Sequence, residues 1–394
     1  MNDTAAVEFR AGADARVITP DVSQPVYLAG FDSNRRALAI HDDLFIRTIA
    51  VTDGRGEPFV LTAVDSIGLP RVKKNKGSRV VAATHTHHGP DTIGLWGPEE
   101  HLTGRDTEYV QRVRDAIAAS QAAAIHQLAP ARLAAGSTPV ASLVENFRDP
   151  EIVDDEFSVL RVTSHDGKTI ATVMSYPCHP EVVAPENTDI TADYAGHLCR
   201  EVEARDGGVA VFVSGALGGM LSPRTEIHTH AEAQRFGVVL ATAVSTALAG
   251  PPIEAGPVSF ARREITIPIQ NPNYVLAEQM ALVEPAERRG GQLLTEVSLA
   301  QVGPVMFAAV PGELLPKLGL RLKTEMRLRG ASVPVIVGLA DDELGYILPE
   351  EDFVFPADYR DPGKQYEESM SVGPRTGPIV VDALMSLISE GSHV

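Results

Sequence analysis

Along most of the chain, short apolar runs alternate with longer segments in which apolar positions recur every three or four residues. Runs of the first kind predict strands, and segments of the second kind predict helices. The predicted strands are 44–51, 58–64, 79–83, 158–162, 169–176, 208–213, 258–268, 304–310 and 333–339. The predicted helices are 106–128, 192–204, 231–248, 314–326 and 376–389. This alternation predicts an α/β or α+β fold.

The clearest predicted helix spans 106–128, and its apolar side chains keep helical spacing until Pro130, which cannot continue a helix. The chain has no internal repeat, no low-complexity stretch and no Pro/Ser-rich linker that would separate two domains. We therefore predict one contiguous catalytic domain over residues 1–394, although length alone would allow two or three.

Composition and charge exclude some classes of partner. The 394 residues include 34 basic and 52 acidic side chains, which gives a formal net charge of −18. Such a surface repels phosphate backbones and anionic lipid headgroups. The basic run 71–76 is short and lies in a predicted loop. We therefore expect a small-molecule partner, and binding to neither nucleic acid nor membrane.

The cellular location follows from what the sequence lacks. The N-terminus has no basic start followed by an apolar run, and no apolar stretch is long enough to cross a bilayer. The two cysteines, Cys178 and Cys199, are too few for a disulfide framework and fit buried thiols in a reducing compartment. A cytoplasmic location is expected, and the oligomeric state stays open, a homo-oligomer included.

Three of the twelve histidines fall in one cluster, residues 84–90 (THTHHGP), directly after the predicted strand 79–83. In an extended backbone, alternate side chains share a face, so His85 and His87 can converge while His88 points away. Gly89-Pro90 then breaks the strand and leaves the pair at its C-terminal end, where open α/β sheets bind ligands. A polar surface loop is the alternative, but the pattern favours metal binding or acid–base catalysis.

Three other side chains follow predicted strands. His179 comes after strand 169–176 and is either a ligand or a buried core histidine. Glu313 comes after strand 304–310, at the predicted start of a helix whose dipole would stabilise a carboxylate. Tyr346 lies in the acidic loop after strand 333–339. None of the three is diagnostic alone.

Taken together, these segments resemble the neutral/alkaline (non-lysosomal) ceramidase family. Four stretches are similar to the family's opening, its first core strand and its HTHSGP motif, namely 11–20, 28–31, 41–48 and 85–90. Five residues also stand in the family's order, so that the resemblance covers nearly the whole chain: His85, Arg148, His179, Glu313 and Tyr346.

The resemblance implies a fold of mixed β-sheets packed together and flanked by helices, as in the ceramidase catalytic domain. It implies that His87 is the catalytic acid/base and that Arg148 contacts the substrate or an oxyanion. Ser222, within 215–224, corresponds to the serine of the family's GDxSPN segment. The implied zinc ligands are His85, His179, Glu313 and Tyr346.

The chain departs from the family pattern at four points. We expect neither the secretion signal nor the C-terminal immunoglobulin-like domain of longer relatives. The Asp of GDxSPN is absent, which leaves the register of Ser222 open, and His88 replaces the family's usual Ser. Only residues 71–78 connect the segment after Asp65 to strand 79–83, where relatives commonly have a helix.

Two imidazoles, a carboxylate and a phenol suit Zn²⁺, which makes bound water a nucleophile near neutral pH. We therefore predict a zinc-dependent hydrolase that cleaves an amide bond, linear or cyclic, of a small soluble substrate. An ester or lactone hydrolase on the same centre is the alternative. A non-catalytic metal-binding relative is another, favoured by the altered GDxSPN segment.

Two pairs of residues have open roles. Asp65 and Asp193 are candidates for carboxylates that orient the ligand imidazoles, or else they are cap or turn residues. His228 and His230 would be a separate metal site, but the absence of a preceding apolar strand favours a solvated loop.

Overall fold

A computed structural model describes residues 8–71, 77–251, 253, 256–359 and 361–390. Its longer strands are β1 (Arg10–Val17), β3 (Phe45–Thr52), β4 (Phe59–Val64), β5 (Arg79–Ala83), β6 (Ala129–Pro139), β8 (Glu156–Ser164), β9 (Thr169–Tyr176), β11 (Val209–Ser214), β13 (Val258–Ile267), β15 (Gln292–Val302), β16 (Val305–Ala309) and β18 (Val333–Val337). Its short strands are β2 (Ala39–Ile40), β7 (Val144–Asn146), β10 (Asp189–Ile190), β12 (Leu221–Pro223), β14 (Arg288–Arg289), β17 (Glu313–Leu314) and β19 (Tyr346–Ile347). Its helices are α1 (Thr107–His126), α2 (Asp193–Asp206), α3 (His230–Ala247), α4 (Pro272–Gln279), α5 (Pro316–Leu328), α6 (Tyr366–Ser369) and α7 (Thr376–Glu390).

Two mixed sheets form the centre of the molecule. Within the described ranges, the larger has eight strands in the order β11-β9-β8-β6-β1-β3-β4-β5. The smaller has the order β13-β15-β16-β18, with β14 paired to β15. Most neighbours are antiparallel, but β4 with β5, β9 with β11 and β16 with β18 are parallel. The predicted fold class, mixed sheets flanked by helices, is confirmed.

Successive side chains of each strand point to opposite faces of its sheet, and this alternation explains why the two sheets pack together. On β3, Ile49 and Val51 share a buried cluster with Phe307 of the smaller sheet, whereas Ile46 packs with Ile117 of α1. The other strands follow the same period of two, which gives each sheet one face toward its partner sheet and one toward helices. Helices α1, α2 and α3 cover the larger sheet, and α5 and α7 cover the smaller, giving a four-layer sandwich.

All five predicted helices form, with ends that differ by at most two residues. The nine predicted strands also form, with similar small differences. Among the longer strands, β1, β6 and β15 were not predicted. The first two are rich in Ala and Gly because helices cross them closely. A Cβ on Gly12 would lie 2.3 Å from the Ala124 carbonyl oxygen of α1, and one on Gly136 would lie 1.9 Å from that of Ala247 in α3.

The C-terminal ends of strands from both sheets meet at one seam. The Ala83 N–H, at the end of β5, donates to the carbonyl of Leu339 at 3.1 Å. At the end of β11, the Ser214 hydroxyl donates to the Thr84 carbonyl at 2.7 Å, and its own carbonyl accepts from the Gly338 N–H at 2.9 Å. These bonds tie together the backbone segments that carry the predicted site.

The cysteines, the helices and the basic run can be compared in part with what the sequence predicts. Both cysteines are free and buried. Among the helices of the described ranges, none combines the length and apolar character that a membrane span requires. Most of the basic run 71–76 lies outside the described residues. The single domain over 1–394, the cytoplasmic location and the absence of nucleic-acid partners stay predictions.

Candidate metal centre

His85 is held by backbone groups on both sides. Its N–H donates to the Ser66 carbonyl at 2.9 Å, and its ring Nδ1 lies 2.5 Å from the Ile67 carbonyl oxygen. Because a carbonyl oxygen only accepts, Nδ1 carries the proton and Nε2 keeps its lone pair. The predicted extended backbone is wrong here, since φ of 70° places His85 in the left-handed region. The ring nevertheless converges with that of His87, with centroids 4.9 Å apart.

His179 has the same arrangement. Its ring is fully buried, and Nδ1 lies 2.9 Å from the Leu221 carbonyl oxygen of β12, which orients Nε2 toward the seam. Nε2 then lies 3.2 Å from Glu313 Oε2. The same carboxylate oxygen lies 3.5 Å from His85 Nε2. The Nε2 atoms of two imidazoles therefore converge on one carboxylate oxygen.

Glu313 and Tyr346 face each other across a small parallel ladder. They are the first residues of β17 and β19, and they are directly paired. The prediction that Glu313 begins a helix is wrong, because the β17 strand intervenes and α5 begins at Pro316. The ladder places the carboxylate beside the phenol, although the two residues are far apart in sequence. The phenol hydroxyl lies 3.4 Å from the sulfur of Met220.

The electrostatics of this group suit a cation. Burial alone would raise the pKa of Glu313, but the neighbouring His85 and His179 hold it at about 2. Burial alone would lower the pKa of His179, but the hydrogen bond to Glu313 and the charges of Glu181 and Glu313 raise it to about 9. The metal-free group therefore holds a proton between His179 and Glu313, at the place where a metal ion would bind.

The residues fit a divalent metal such as zinc. Ligand atoms of His85, His87 and His179 all lie within 4.8 Å of one another, and all three residues are buried. Backbone carbonyls fix both ligand rings in the tautomer that a metal requires. The ligand set predicted from the sequence, with two nitrogen donors (His85, His179) and two oxygen donors (Glu313, Tyr346), stays a prediction. The identity of the metal stays a prediction.

His87 is the imidazole without a hydrogen-bond partner. Both of its ring nitrogens are buried, and neither has a hydrogen bond in the structure. The nearest acidic group is Glu181, with Oε2 3.4 Å from Nδ1. Burial lowers the pKa of His87 well below its ordinary value, and His85 and His179 add to the effect. A neutral imidazole beside a metal centre suits a proton acceptor.

The ring of His87 packs against the segment 28–31. Phe31 meets it edge to face, with centroids 4.8 Å apart. Gly30 has φ of 77°, and a Cβ at this position would lie 2.6 Å from Cγ of the imidazole. Only glycine therefore leaves room for this ring. The sequence motif at 28–31 thus has a steric role beside His87.

Arg148 and Ser222 are each bound by carboxylates. The Arg148 guanidinium pairs with Glu367 and, at 2.8 Å, with Glu368, and Arg148 is not among the residues that line the cavity. Its contact with substrate stays a prediction. The Ser222 hydroxyl donates to Glu181 Oε1 at 2.6 Å, so that Ser222 reaches His87 through that carboxylate.

The other candidate residues lie away from the ligand rings. Asp65 accepts from the Phe45 N–H and pairs with Arg47, and Asp193 accepts from the N–H groups of Val183 and Tyr194. Carbonyls, not these carboxylates, orient the ligands. The Nε2 atom of His88 faces two carbonyl oxygens, those of Ala184 and Asn187.

The other paired histidines do not converge. His228 Nδ1 lies 3.1 Å from the Val182 carbonyl oxygen, whereas His230 pairs with Asp189 and stacks on His41. A different group, His41, Asp42 and His197, has its ligand atoms close together. The Arg200 guanidinium already fills it, 3.1 Å from Asp42 Oδ1 and 3.0 Å from His197 Nδ1.

The centre opens on a cavity of about 750 Å³ whose wall includes His85, His87, Glu313 and Tyr346. Its apolar lining comprises Phe31, Ile67, Ile93, Leu95, Trp96, Leu293, Leu294, Leu344 and Met370. Its acidic lining comprises Asp32, Glu100, Glu278, Glu284, Glu287, Asp342 and Glu343. A concave, largely apolar cavity with a few converging polar groups is typical of a small-molecule site.

Sequence reasoning missed Glu181, Glu343 and Tyr366. Glu181 follows His179 by two positions, the spacing that singled out His85 and His87, so the same rule applied to mixed residue types would have found it. Burial and the charge of Glu313 raise the pKa of Glu343 well above its ordinary value. Tyr366 reaches the cavity from the distant helix α6, for which the sequence holds no local indication.

The fold is similar to that of solved ceramidases. One is the crystal structure of neutral ceramidase from Pseudomonas aeruginosa, which has a TM-score of 0.77 and 17% identity over 98% of this chain and 75% of that one. Another, a ceramidase complexed with C2, has a TM-score of 0.77 and 16% identity, with coverage of 98% and 76%. No family model and no curated protein matches the sequence. This chain therefore shares its fold with neutral ceramidase, as the ordered motifs predict.

Proposed function

We propose that this protein is a zinc-dependent hydrolase that cleaves an amide bond, linear or cyclic, of a small soluble substrate. The observation that carries the proposal is the convergence of His85 Nε2 and His179 Nε2 on Glu313 Oε2, at the wall of a cavity. The fold shared with neutral ceramidase supports an amide as the substrate. The net charge of −18 favours a soluble substrate over a lipid in an anionic membrane.

Each residue of the centre has a role in this proposal. His85, His179, Glu313 and Tyr346 would hold the metal. When bound, zinc lowers the pKa of a coordinated water and polarises the scissile carbonyl. His87, neutral and buried, takes the proton of the attacking water and returns it to the leaving amine. The apolar wall excludes bulk water from these groups.

Arg148, the predicted oxyanion contact, would have to leave its present carboxylate partners to reach a substrate in the cavity. Its guanidinium is bound by Glu367 and Glu368 and by the Asp352 carbonyl. Burial and the charge of Arg148 act in opposite directions on Glu367, and the net effect raises the pKa of that carboxyl to about 7. We propose that substrate binding draws Arg148 toward the cavity, or that Arg148 acts by anchoring α6 and, with it, Tyr366.

The first prediction concerns metal content and turnover. His85→Ala and His179→Ala should lose bound metal and activity together, because each removes a ligand. His87→Ala should retain metal and lose about 10²- to 10⁴-fold in kcat, the usual contribution of a general base. Elemental analysis of purified variants and an activity screen against matched amides and cyclic amides measure both. An active, metal-replete His179→Ala protein would refute the assignment.

An ester or lactone hydrolase is the second candidate, because the same centre can attack either carbonyl. Including matched esters and lactones in the screen separates the two. A non-catalytic relative is favoured by the loss of the Asp of GDxSPN and by the binding of Ser222 to Glu181. A non-catalytic relative would show full metal occupancy but no turnover of amides, cyclic amides, esters or lactones.

A further inference from the structure

Glu181 is a partly buried carboxylate with one oxygen fixed and one oxygen facing His87. The Ser222 hydroxyl donates to Oε1 at 2.6 Å, and Ser222 is itself held on β12, which pairs with β7. Oε2 lies 3.4 Å from His87 Nδ1. Among the described residues, no Lys or Arg forms an ion pair with Glu181. Its second oxygen therefore faces the His87 imidazole, while its charge also acts on the neighbouring His179.

The imidazole of His87 has little freedom to choose another partner. Gly30 approaches one part of the ring so closely that a Cβ would collide with Cγ, and Phe31 packs edge-on against it. Both nitrogens are buried without a hydrogen bond. A buried imidazole nitrogen without a partner is costly, and catalytic hydrogen bonds often shorten when the site is loaded. Glu181 Oε2 is the acceptor placed to receive Nδ1–H.

We propose that Glu181 is the positioning residue for His87, and that Ser222 in turn orients Glu181. This inference rests on the proposed function. Glu181 accepts the Nδ1–H hydrogen bond and so fixes the tautomer in which Nε2 keeps its lone pair. The attacking water gives its proton to Nε2, the carboxylate stabilises the resulting imidazolium, and Nε2–H then protonates the leaving nitrogen or oxygen. Ser222 acts through Glu181 and does not contact the reacting atoms.

The first test reads the tautomer and needs no substrate. In zinc-loaded protein labelled with ¹⁵N-histidine, the His87 signals are identified by their loss in His87→Ala. We expect Nδ1 to be protonated and Nε2 unprotonated in the wild type. In Glu181→Gln, Ser222 retains the carbonyl oxygen, the NH₂ group faces Nδ1, and the proton should move to Nε2. A wild-type protein with the proton on Nε2 would overturn the proposal, even if no substrate is ever found.

The second test is a double-mutant cycle in kcat. Glu181→Gln should lower kcat about 10- to 100-fold, the usual effect of losing a group that orients a catalytic imidazole, with KM and zinc content unchanged. Ser222→Ala should lower kcat less than Glu181→Gln. In a His87→Ala background, Glu181→Gln should change kcat less than about twofold, because Glu181 acts through His87.

The matched control is Glu186→Gln, which removes an exposed carboxylate from the same loop and should leave kcat and the His87 tautomer unchanged. A competing explanation is that Glu181 acts on the ligand His179, whose ring also senses its charge. That explanation predicts zinc loss in Glu181→Gln with an unchanged His87 tautomer, and this result would overturn the proposal.

Discussion

At the scale of single residues, the candidate centre depends on backbone groups more than on charged side chains. Carbonyls of Ile67 and Leu221 set the tautomers of the ligand rings, and a left-handed backbone aims His85 into the seam. Non-glycine residues in this region are uncommon, and they are concentrated at functional sites. The strain therefore lies where the chemistry is proposed.

Gly30→Ala should separate positioning of His87 from metal binding. The new methyl group would lie 2.6 Å from the imidazole Cγ and displace the ring, so we expect kcat to fall about 100-fold with zinc content unchanged. Gly54→Ala is the control, because Gly54 has a similar φ of 79° but no atom within 4 Å of the added Cβ. Steady-state kinetics and elemental analysis of both variants test this. Equal losses of kcat would show that backbone strain, not contact with His87, is responsible.

The convergence of the three histidines could be predicted from the sequence, whereas their surroundings could not. His85, His87 and His179 follow apolar strands, and strand ends converge at one edge of a sheet. The pairing of Glu313 with Tyr346 depends on a ladder only two residues long, which has no periodicity to detect. Glu181 was missed because its role depends on Ser222, a neighbour only in three dimensions.

At the scale of elements, helix α5 is joined to the larger sheet by a buried ion pair. Lys323 Nζ lies 2.6 Å from Asp154 and 3.2 Å from Glu156, the first residue of β8. Only 5% of the Lys323 side chain is exposed, and only 2% of that of Asp154. The pair thus connects a helix that covers the smaller sheet to a strand of the larger one.

Lys323→Met should destabilise the fold by about 3 kcal/mol or more, because it leaves two carboxylates at this site without their lysine. Lys317→Met, on the same helix, should cost about 1 kcal/mol or less, since Lys317 is 40% exposed beside Glu351 and Asp352. Urea denaturation of both variants measures the difference. A loss in Lys323→Met no larger than in Lys317→Met would contradict the role of the buried pair.

The elements missed from sequence share a physical cause. β1 and β6 contain Ala, Gly and Pro where strands usually have β-branched residues, since helix backbones pass directly over Gly12 and Gly136. Close packing therefore removed the side chains on which strand prediction relies. By contrast, β5 and β9 were predicted with their observed ends because both are rich in apolar and β-branched residues and contain neither Gly nor Pro.

At the scale of the whole molecule, the candidate centre joins the two sheets. His85 and His179 come from strands of the larger sheet, and Glu313 and Tyr346 follow strands of the smaller one. A metal held by all four would connect both halves of the sandwich. Because such an ion binds the folded state selectively, it should raise the unfolding temperature.

The stabilisation by zinc should depend on pH. In the metal-free protein, the pKa of His179 is raised from an ordinary value of 6.5 to about 9. Protonation of His179 therefore stabilises the folded state, with its full contribution below about pH 6.5. This contribution is lost as the pH rises to 9. The proton and the metal compete for Nε2. The increase in Tm on adding zinc should therefore grow between pH 6.5 and pH 9.

Differential scanning fluorimetry of chelator-treated protein, with and without zinc, measures this difference across the range. His179→Ala should show no zinc-dependent increase in Tm at any of these pH values, whereas His126→Ala, at the end of α1, should behave as the wild type. A pH-independent increase in the wild type would exclude competition between the proton and the metal at His179.

The ladder between β17 and β19 has a consequence for recognising distant relatives. Since Glu313 and Tyr346 are in register over only two residue pairs, one inserted residue within either strand would place a different side chain opposite the carboxylate. The loops on either side of β18, in contrast, can change in length without altering this register. A sequence search should therefore forbid gaps inside the two short strands and allow them in those loops.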